Sequence, residues 1–438
     1  MKKNILTLIA CLSFGALAAQ NPVKYVEYDL PNGLHVILHQ DNSVPIVAVS
    51  VLYHVGSKNE NPKRTGFAHF FEHLMFEGSE NIKRGEFDTY LDNAGATNNA
   101  NTSQDRTFYY EILPANQLEM ALWLESERML HAKIDKKGIE TQREVVKEEK
   151  RQRGDNQPYG SILDETMKRV YTKHPYQWTP IGSMEHLNAA SEADFKDFYK
   201  TFYIPNNATL SIAGNLDIEQ SKKMIASYFQ DIPKGKAIVR PAISEPKQSK
   251  EIRDIVYDNI QLPAVIHAFK IPSIKHPDYY AVSMLMQILS QGESSRLTKA
   301  IKNEQQKALF VGAFPFDLED EPNVSIAFGI ASAGVKAEDL EKAMEVEYEK
   351  LKNELITERE FQKLKNQIEK EFYTENATMA GIAENLANYH TYYGNANLIN
   401  EEIKRFMAVS RDDIQRVAKK YLVKGERVTL FYLPKKDK

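Results

Sequence analysis

The segment Gly66-Phe67-Ala68-His69-Phe70-Phe71-Glu72-His73-Leu74-Met75-Phe76 changes the rhythm of the chain. Its apolar side chains recur at helical spacing. What precedes it reads as strands. Tyr25 to Leu30 and His35 to Leu38 alternate about Leu30-Pro31-Asn32-Gly33-Leu34, a hairpin signal, and Ile46 to Tyr53 is a β-rich run. Helical periodicity returns from Gly85 to Asn93, Ala115 to Leu130, Ile139 to Arg153, Asp194 to Phe202 and Ile218 to Phe229. Strands are expected at Thr97 to Thr102, Thr107 to Leu113 and Thr209 to Ala213.

Residues 233–251 are rich in Pro, Lys and Ser without apolar periodicity and read as a linker. Beyond them the same order of elements returns. Phe195 to Ala213, a helix, then Tyr203-Ile204-Pro205, then a strand, resembles Ile414 to Tyr432 with Tyr421-Leu422-Val423 at its centre. The expected fold is therefore α+β, with two homologous domains at 20–232 and 252–438, each an antiparallel sheet packed with helices.

Met1-Lys2-Lys3, the apolar stretch from Ile5 to Ala16 and the small residues Ala16, Ala18 and Ala19 have the layout of a secretory signal peptide over residues 1–19. The stretch is too interrupted for a transmembrane anchor. The protein is expected to be exported, to the periplasm first, with secretion or lipidation at Cys11 as lesser alternatives. Cys11 is the only cysteine, so once the leader is removed neither a disulfide nor a thiolate metal site is available. A length of 438 residues, 42% hydrophobic and 26% charged, suits a globular chain of two to three domains. The net charge of −4, with basic residues scattered among acidic ones, excludes a nucleic-acid partner.

His69 and His73 lie four residues apart in a helical pattern, about 40° apart on one face, where two imidazoles can share one ion. Glu72 falls about 60° to the other side of His69, beside such an ion, placed to act as a general base. A structural zinc takes four protein ligands, whereas a catalytic zinc keeps three and leaves a position open. Along Ile139 to Arg153, the positions Ile139, Gln142, Val145, Val146 and Glu149 recur at helical spacing, which turns Glu149 inward as the candidate third ligand and leaves Glu144 and Glu148 on the wet side. A solvated helix end is the plain alternative for Glu149.

His69-x-x-Glu72-His73, followed by Arg143-Glu144-Val145-Val146-Lys147-Glu148-Glu149, resembles the inverted-zincin pitrilysin/insulinase family. The likeness is to its half-length group, which includes mitochondrial processing peptidase, and it spans nearly all of the chain after the leader. It implies one zinc ion per chain, with Glu149, 76 positions beyond His73, as third ligand. Seven positions earlier the family carries a supporting Glu; here it is Gln142. The resemblance also makes Gly95 to Ser103 an exposed edge strand that pairs with a peptide substrate at Asn99 and Ala100, which suits its small and polar residues. Full-length relatives keep an Arg and a Tyr, spaced by seven, in the non-catalytic half. This chain has Lys302 and Leu309 there, without a guanidinium fork or a hydroxyl donor.

The expected protein is a zinc-dependent endopeptidase acting on extended or unfolded peptides as one half of a heterodimer whose paralogous subunit supplies the Arg and Tyr, with a homodimer as the alternative. Its rival is a catalytically silent structural or chaperone-like subunit of the same fold, which would not need His69, Glu72, His73 and Glu149 together.

Overall fold

The structure is a computed structural model that describes residues 22–240 and 242–435. The leader read over residues 1–19, with Cys11, lies outside the described residues. The first half contains strands β1 (Val26–Asp29), β2 (His35–Gln40) and β3 (Ile46–Tyr53), helices α1 (Phe67–Leu74) and α2 (Glu86–Asn93), and the hairpin β4 (Thr97–Thr102) and β5 (Thr107–Pro114). Helices α3 (Leu118–His131), α4 (Lys136–Lys150), α5 (Ile162–Val170), α6 (Met184–Ala189) and α7 (Glu192–Phe202) follow, then β6 (Ala208–Gly214) and α8 (Ile218–Phe229). No helix or strand falls among the described residues of 233–251. The second half contains β7 (Ile252–Asp258), β8 (Ala264–Ile271), α9 (Tyr279–Ser290), β9 (Ala308–Pro315) and β10 (Asn323–Ala331). It ends with α10 (Ala337–Asn353), α11 (Glu358–Glu375), α12 (Met379–Tyr393), α13 (Leu398–Ala408), α14 (Arg411–Tyr421) and β11 (Arg427–Pro434).

The two halves repeat one topology. The first sheet runs β1-β2-β6-β3-β5-β4 and the second β7-β11-β8-β10-β9, so that without β1 the orders coincide strand for strand. The chain is α+β with two sheets, as read from the sequence. Each sheet, expected to be antiparallel, also carries one parallel pair, β2 with β6 and β7 with β11. The cause is the long return of the last strand, which enters from a helix rather than a hairpin and is free to run in either direction. The first hairpin closes through Gly33, whose φ of 88° suits glycine, with its N–H donating to Leu30 O at 2.8 Å.

Each sheet buries both faces. Seven of the eight residues of β3 and all seven of β6 are buried, as their unbroken apolar runs require. One face of each sheet packs on helices of its own half. The other face is covered from across the molecule. Five helices lie between β5 and β6 and five between β10 and β11, and in each set the third crosses over. Helix α5 places Met167 and Val170 against Val428, Leu430 and Ile266 of the second sheet, while α12 places Met379, Ile382, Ala383 and Leu386 against Ile37, Ala48 and Ala213 of the first.

A polar cluster reinforces the exchange. Lys58 Nζ lies 2.7 Å from Asp105 in the first half and 2.8 and 3.1 Å from Glu319 and Asp320 in the second. Tyr176 donates to Asp105 at 2.7 Å, and Glu319 also meets His54 Nε2 at 2.8 Å. Among the described residues no helix is long and apolar enough to cross a membrane.

Leu386 is fully buried where α12 meets the first sheet. Leu386→Ala should lower the unfolding free energy by about 2 to 5 kcal/mol in denaturant titrations. A change below about 0.5 kcal/mol, the size of a surface substitution, would mean that α12 does not cover this face.

Candidate metal centre

Helix α1 is glued down by aromatic packing and capped from a distance. Phe67 stacks on Phe195 of α7 and Phe70 packs on it at a tilt, each with ring centroids 4.6 Å apart, and Phe71 packs on Phe198 and Tyr203 at 5.4 and 5.0 Å. The residue before the helix, Gly66, has no side chain to cap it. The buried carboxylate of Glu60 does so instead, accepting the N–H of Gly66 at 2.9 Å and of Ala68 at 2.8 Å. The Glu60 cap joins residues six and eight apart without a motif, and the sequence reading did not find it. Its signal was an acid shortly ahead of a helix that starts on glycine.

Helix α4 faces α1 and is anchored separately. The side chain of Asp135 accepts the N–H of Gly138 at its start, and buried Arg143 donates to the carbonyls of Leu187 and Ala190. Ile139, Arg143 and Val146 form its buried face. Val145, expected to point inward, is 44% exposed. At 100° per residue it lies about 100° from Val146, so the inward stripe is centred one column over, with Gln142 and Glu149 on its flank toward α1. Glu148 is exposed and holds Arg151 and Gln152 at 3.1 and 3.0 Å.

The structure brings His69, His73 and Glu149 together. Glu149 Oε2 lies 3.5 Å from His69 Nε2 and 3.2 Å from His73 Nε2, while its Oε1 meets Arg153 at 2.7 Å. One donor atom from each of the three residues can be chosen so that all lie within 4.8 Å of one another. Zinc bonds of about 2.0 to 2.2 Å to nitrogen and oxygen place tetrahedral donors about 3.3 to 3.6 Å apart, so the set fits a zinc ion. Burial, then the neighbouring His73, pushes the His69 imidazole down to about 4, which keeps it neutral with a lone pair to give. The hydrogen bond from His73 and the nearby guanidinium of Arg153 hold the Glu149 carboxyl below its usual value against the opposing pull of burial.

Glu72 stands beside this set. Burial raises its carboxyl above the ordinary value, against the lowering by a 2.6 Å hydrogen bond from Thr102 Oγ1 and by His73. The Gln142 amide donates to Glu77, on the loop after α1, which also pairs with Arg84. Strand β4 lies at the edge of the first sheet, paired on one side with β5 through Asn99 opposite Tyr110 and Ala100 opposite Tyr109. The Ala100 N–H donates to the Asn99 side chain at 2.8 Å, which satisfies that donor when no peptide is present. In the second half, Lys302 reaches only Glu293, at 3.8 Å, among the described residues, and Leu309 on β9 is 61% exposed.

Residues 35–179 match the family described as Insulinase (Peptidase family M16), and residues 189–368 match the Peptidase M16 inactive domain. The chain is 32% identical over 415 residues to the zinc protease PqqE of Helicobacter pylori, covering 94% of this chain and 93% of that protein. A probable mitochondrial-processing peptidase subunit beta of Arabidopsis thaliana is 24% identical over 409 residues, covering 90% of this chain and 75% of that one. Among solved structures, a protease from Helicobacter pylori superposes with a TM-score of 0.90 at 30% identity, covering 94% of this chain and 100% of that chain.

The different settings of the two neighbouring acids on α4 lead to a direct test. Glu149→Ala should sharply reduce the zinc retained after dialysis, measured by elemental analysis, and Glu148→Ala should leave it nearly unchanged. The reverse pattern would refute the ligand set.

Proposed function

The chain belongs to peptidase family M16, the insulinase family, and we propose that it is a zinc-dependent endopeptidase that hydrolyses extended or unfolded peptides as one half of a heterodimer. The observation that carries this reading is the meeting of His69, His73 and Glu149 at zinc-ligand spacing with Glu72 alongside. A zinc ion held there would polarise the scissile carbonyl and make water more acidic. Glu72 accepts the proton of the attacking water as its oxygen bonds to the carbonyl carbon, and returns it to the leaving amine as the C–N bond breaks. The open edge of β4, at Asn99 and Ala100, takes the peptide backbone as an added strand, largely without regard to side chains.

The second half explains the partner. Lys302 is a point charge and Leu309 has no donor, so this chain provides no Arg and Tyr to bind the developing oxyanion. A donor aimed at that charge typically contributes about 3 to 4 kcal/mol. A paralogous subunit with an intact pair would restore it, and one without its own zinc motif would complement this chain. A symmetric homodimer is the alternative, with Lys302 in the role of Arg. Export to the periplasm is part of the same reading and rests on the layout of residues 1–19.

Glu72→Gln, which keeps the shape and removes the base, should retain zinc and lose peptidase turnover by about 10²- to 10⁴-fold. Near-normal turnover in that variant, with contaminating protease excluded, refutes the mechanism. For the assembly, peptide cleavage by the purified chain is measured before and after adding a co-exported paralogue that lacks the zinc motif. Strong activation, abolished by replacing the partner's Arg or Tyr, is the expected result. Full activity of the chain alone refutes the heterodimer.

A further inference from the structure

We infer that Thr102 is a positioning residue for the general base, its hydroxyl holding one oxygen of Glu72 so that the other is left to take the proton. The inference deepens the peptidase reading and relies on it for the task assigned to Glu72. Thr102 Oγ1 donates to Glu72 Oε2 at 2.6 Å, the length of a charge-assisted O–H···O⁻ bond. Among the described residues, Oε1 accepts no hydrogen bond and no Lys or Arg pairs with Glu72. A glutamate has three side-chain torsions, and few of their combinations would keep its carboxylate beside His69 and His73. The Thr102 contact selects among them.

The hydroxyl is itself held in place. Thr102 is β-branched, which restricts its first torsion, and it is the last residue of β4, paired with Thr107 across the hairpin. The turn beyond it closes through the Ser103 N–H to Arg106 O at 2.9 Å. Arg106 ties that turn down, donating to Asn101 at 3.1 Å and to Glu384 and Asn388 on α12. Helix α1 and β4 are packed together directly. The donor therefore arrives already aimed. It also sits on the strand that carries Asn99 and Ala100, so the peptide backbone and the base take their heights from one strand, and the carbonyl presented by an added strand meets a carboxylate fixed to the same frame.

Thr102→Val keeps the shape and branching and removes the donor, whereas Thr102→Ser keeps the donor. In the zinc-loaded assembly of highest turnover, assayed on labelled casein, Thr102→Val should lower kcat about 10- to 100-fold with KM, zinc content and Tm unchanged. Thr102→Ser should recover most of that loss. Unchanged kcat in Thr102→Val, an equal loss in both variants, or loss of zinc or thermal stability overturns the assignment. Crystal structures of the wild type and Thr102→Val give a readout that needs no turnover. Glu72 is expected in one rotamer on Thr102 in the wild type and in several in the variant, and one shared rotamer in both overturns the inference. If the wild type cleaves no peptide in any assembly, the peptidase reading falls, and the crystal structures still decide the positioning.

Discussion

Two sheets with apolar residues on both faces must each find two layers of cover, and each half of this chain packs its own helices on only one face. The remaining face is covered by a helix lent from the opposite half, α5 in one direction and α12 in the other. This exchange is the constraint on which the rest depends. An uncovered face would expose residues such as Ile37, Ala48, Leu430 and Ile266, and contiguous apolar area of that kind is not left in water by a stable chain. Because the exchange is reciprocal and falls on equivalent helices, it also explains why two halves joined by an irregular segment share a buried junction.

The metal centre inherits its order from that junction. Strand β3 and its neighbours back the aromatic bed of α1, and Lys58, in the loop that leads to α1, is anchored by carboxylates from both halves. Trp178 donates to Ser57 O at 2.8 Å, and Glu60 then fixes the first N–H groups of the helix. Buried charge of this kind is costly to bring out of water, so it is held by several partners at once. Ser57, Lys58 and Glu60 thereby tie the loop before α1 to both halves and to the helix it precedes. His69 and His73 consequently share a face that is set from behind by Phe195 and from the front end by Glu60.

What was legible in the sequence was local. The helix carrying His69 and His73, the strands at 97–102 and 107–114, and the helix at 218–229 follow from periodicity and turn residues within a few positions of one another. The repeat was visible in the likeness of α7 and β6 to α14 and β11. The inward turn of Glu149 was legible too, but the phase of its helix lies one column from the apolar pattern, because buried Arg143 interrupts the stripe and exposed Val145 falls outside it. Contacts made across long separations left no such signal. Helix α5 has a short amphipathic pattern whose apolar side serves the other half, and the β2 with β6 pairing joins segments about 170 residues apart. The bonds from Thr102 to Glu72 and from Gln142 to Glu77 are likewise properties of folded neighbours, not of sequence spacing.

The crossing of α5 and α12 bears on what happens when the polypeptide is cut. The segment 233–251 carries no helix or strand among its described residues, although Glu245 within it accepts N–H groups from Thr172, Lys173 and His174. A nick there separates the halves in sequence while each still clasps the other's sheet. The two pieces would remain one particle through purification and part only under denaturant, and separately made halves would recover order by mutual complementation, each lacking by itself the layer its sibling provides.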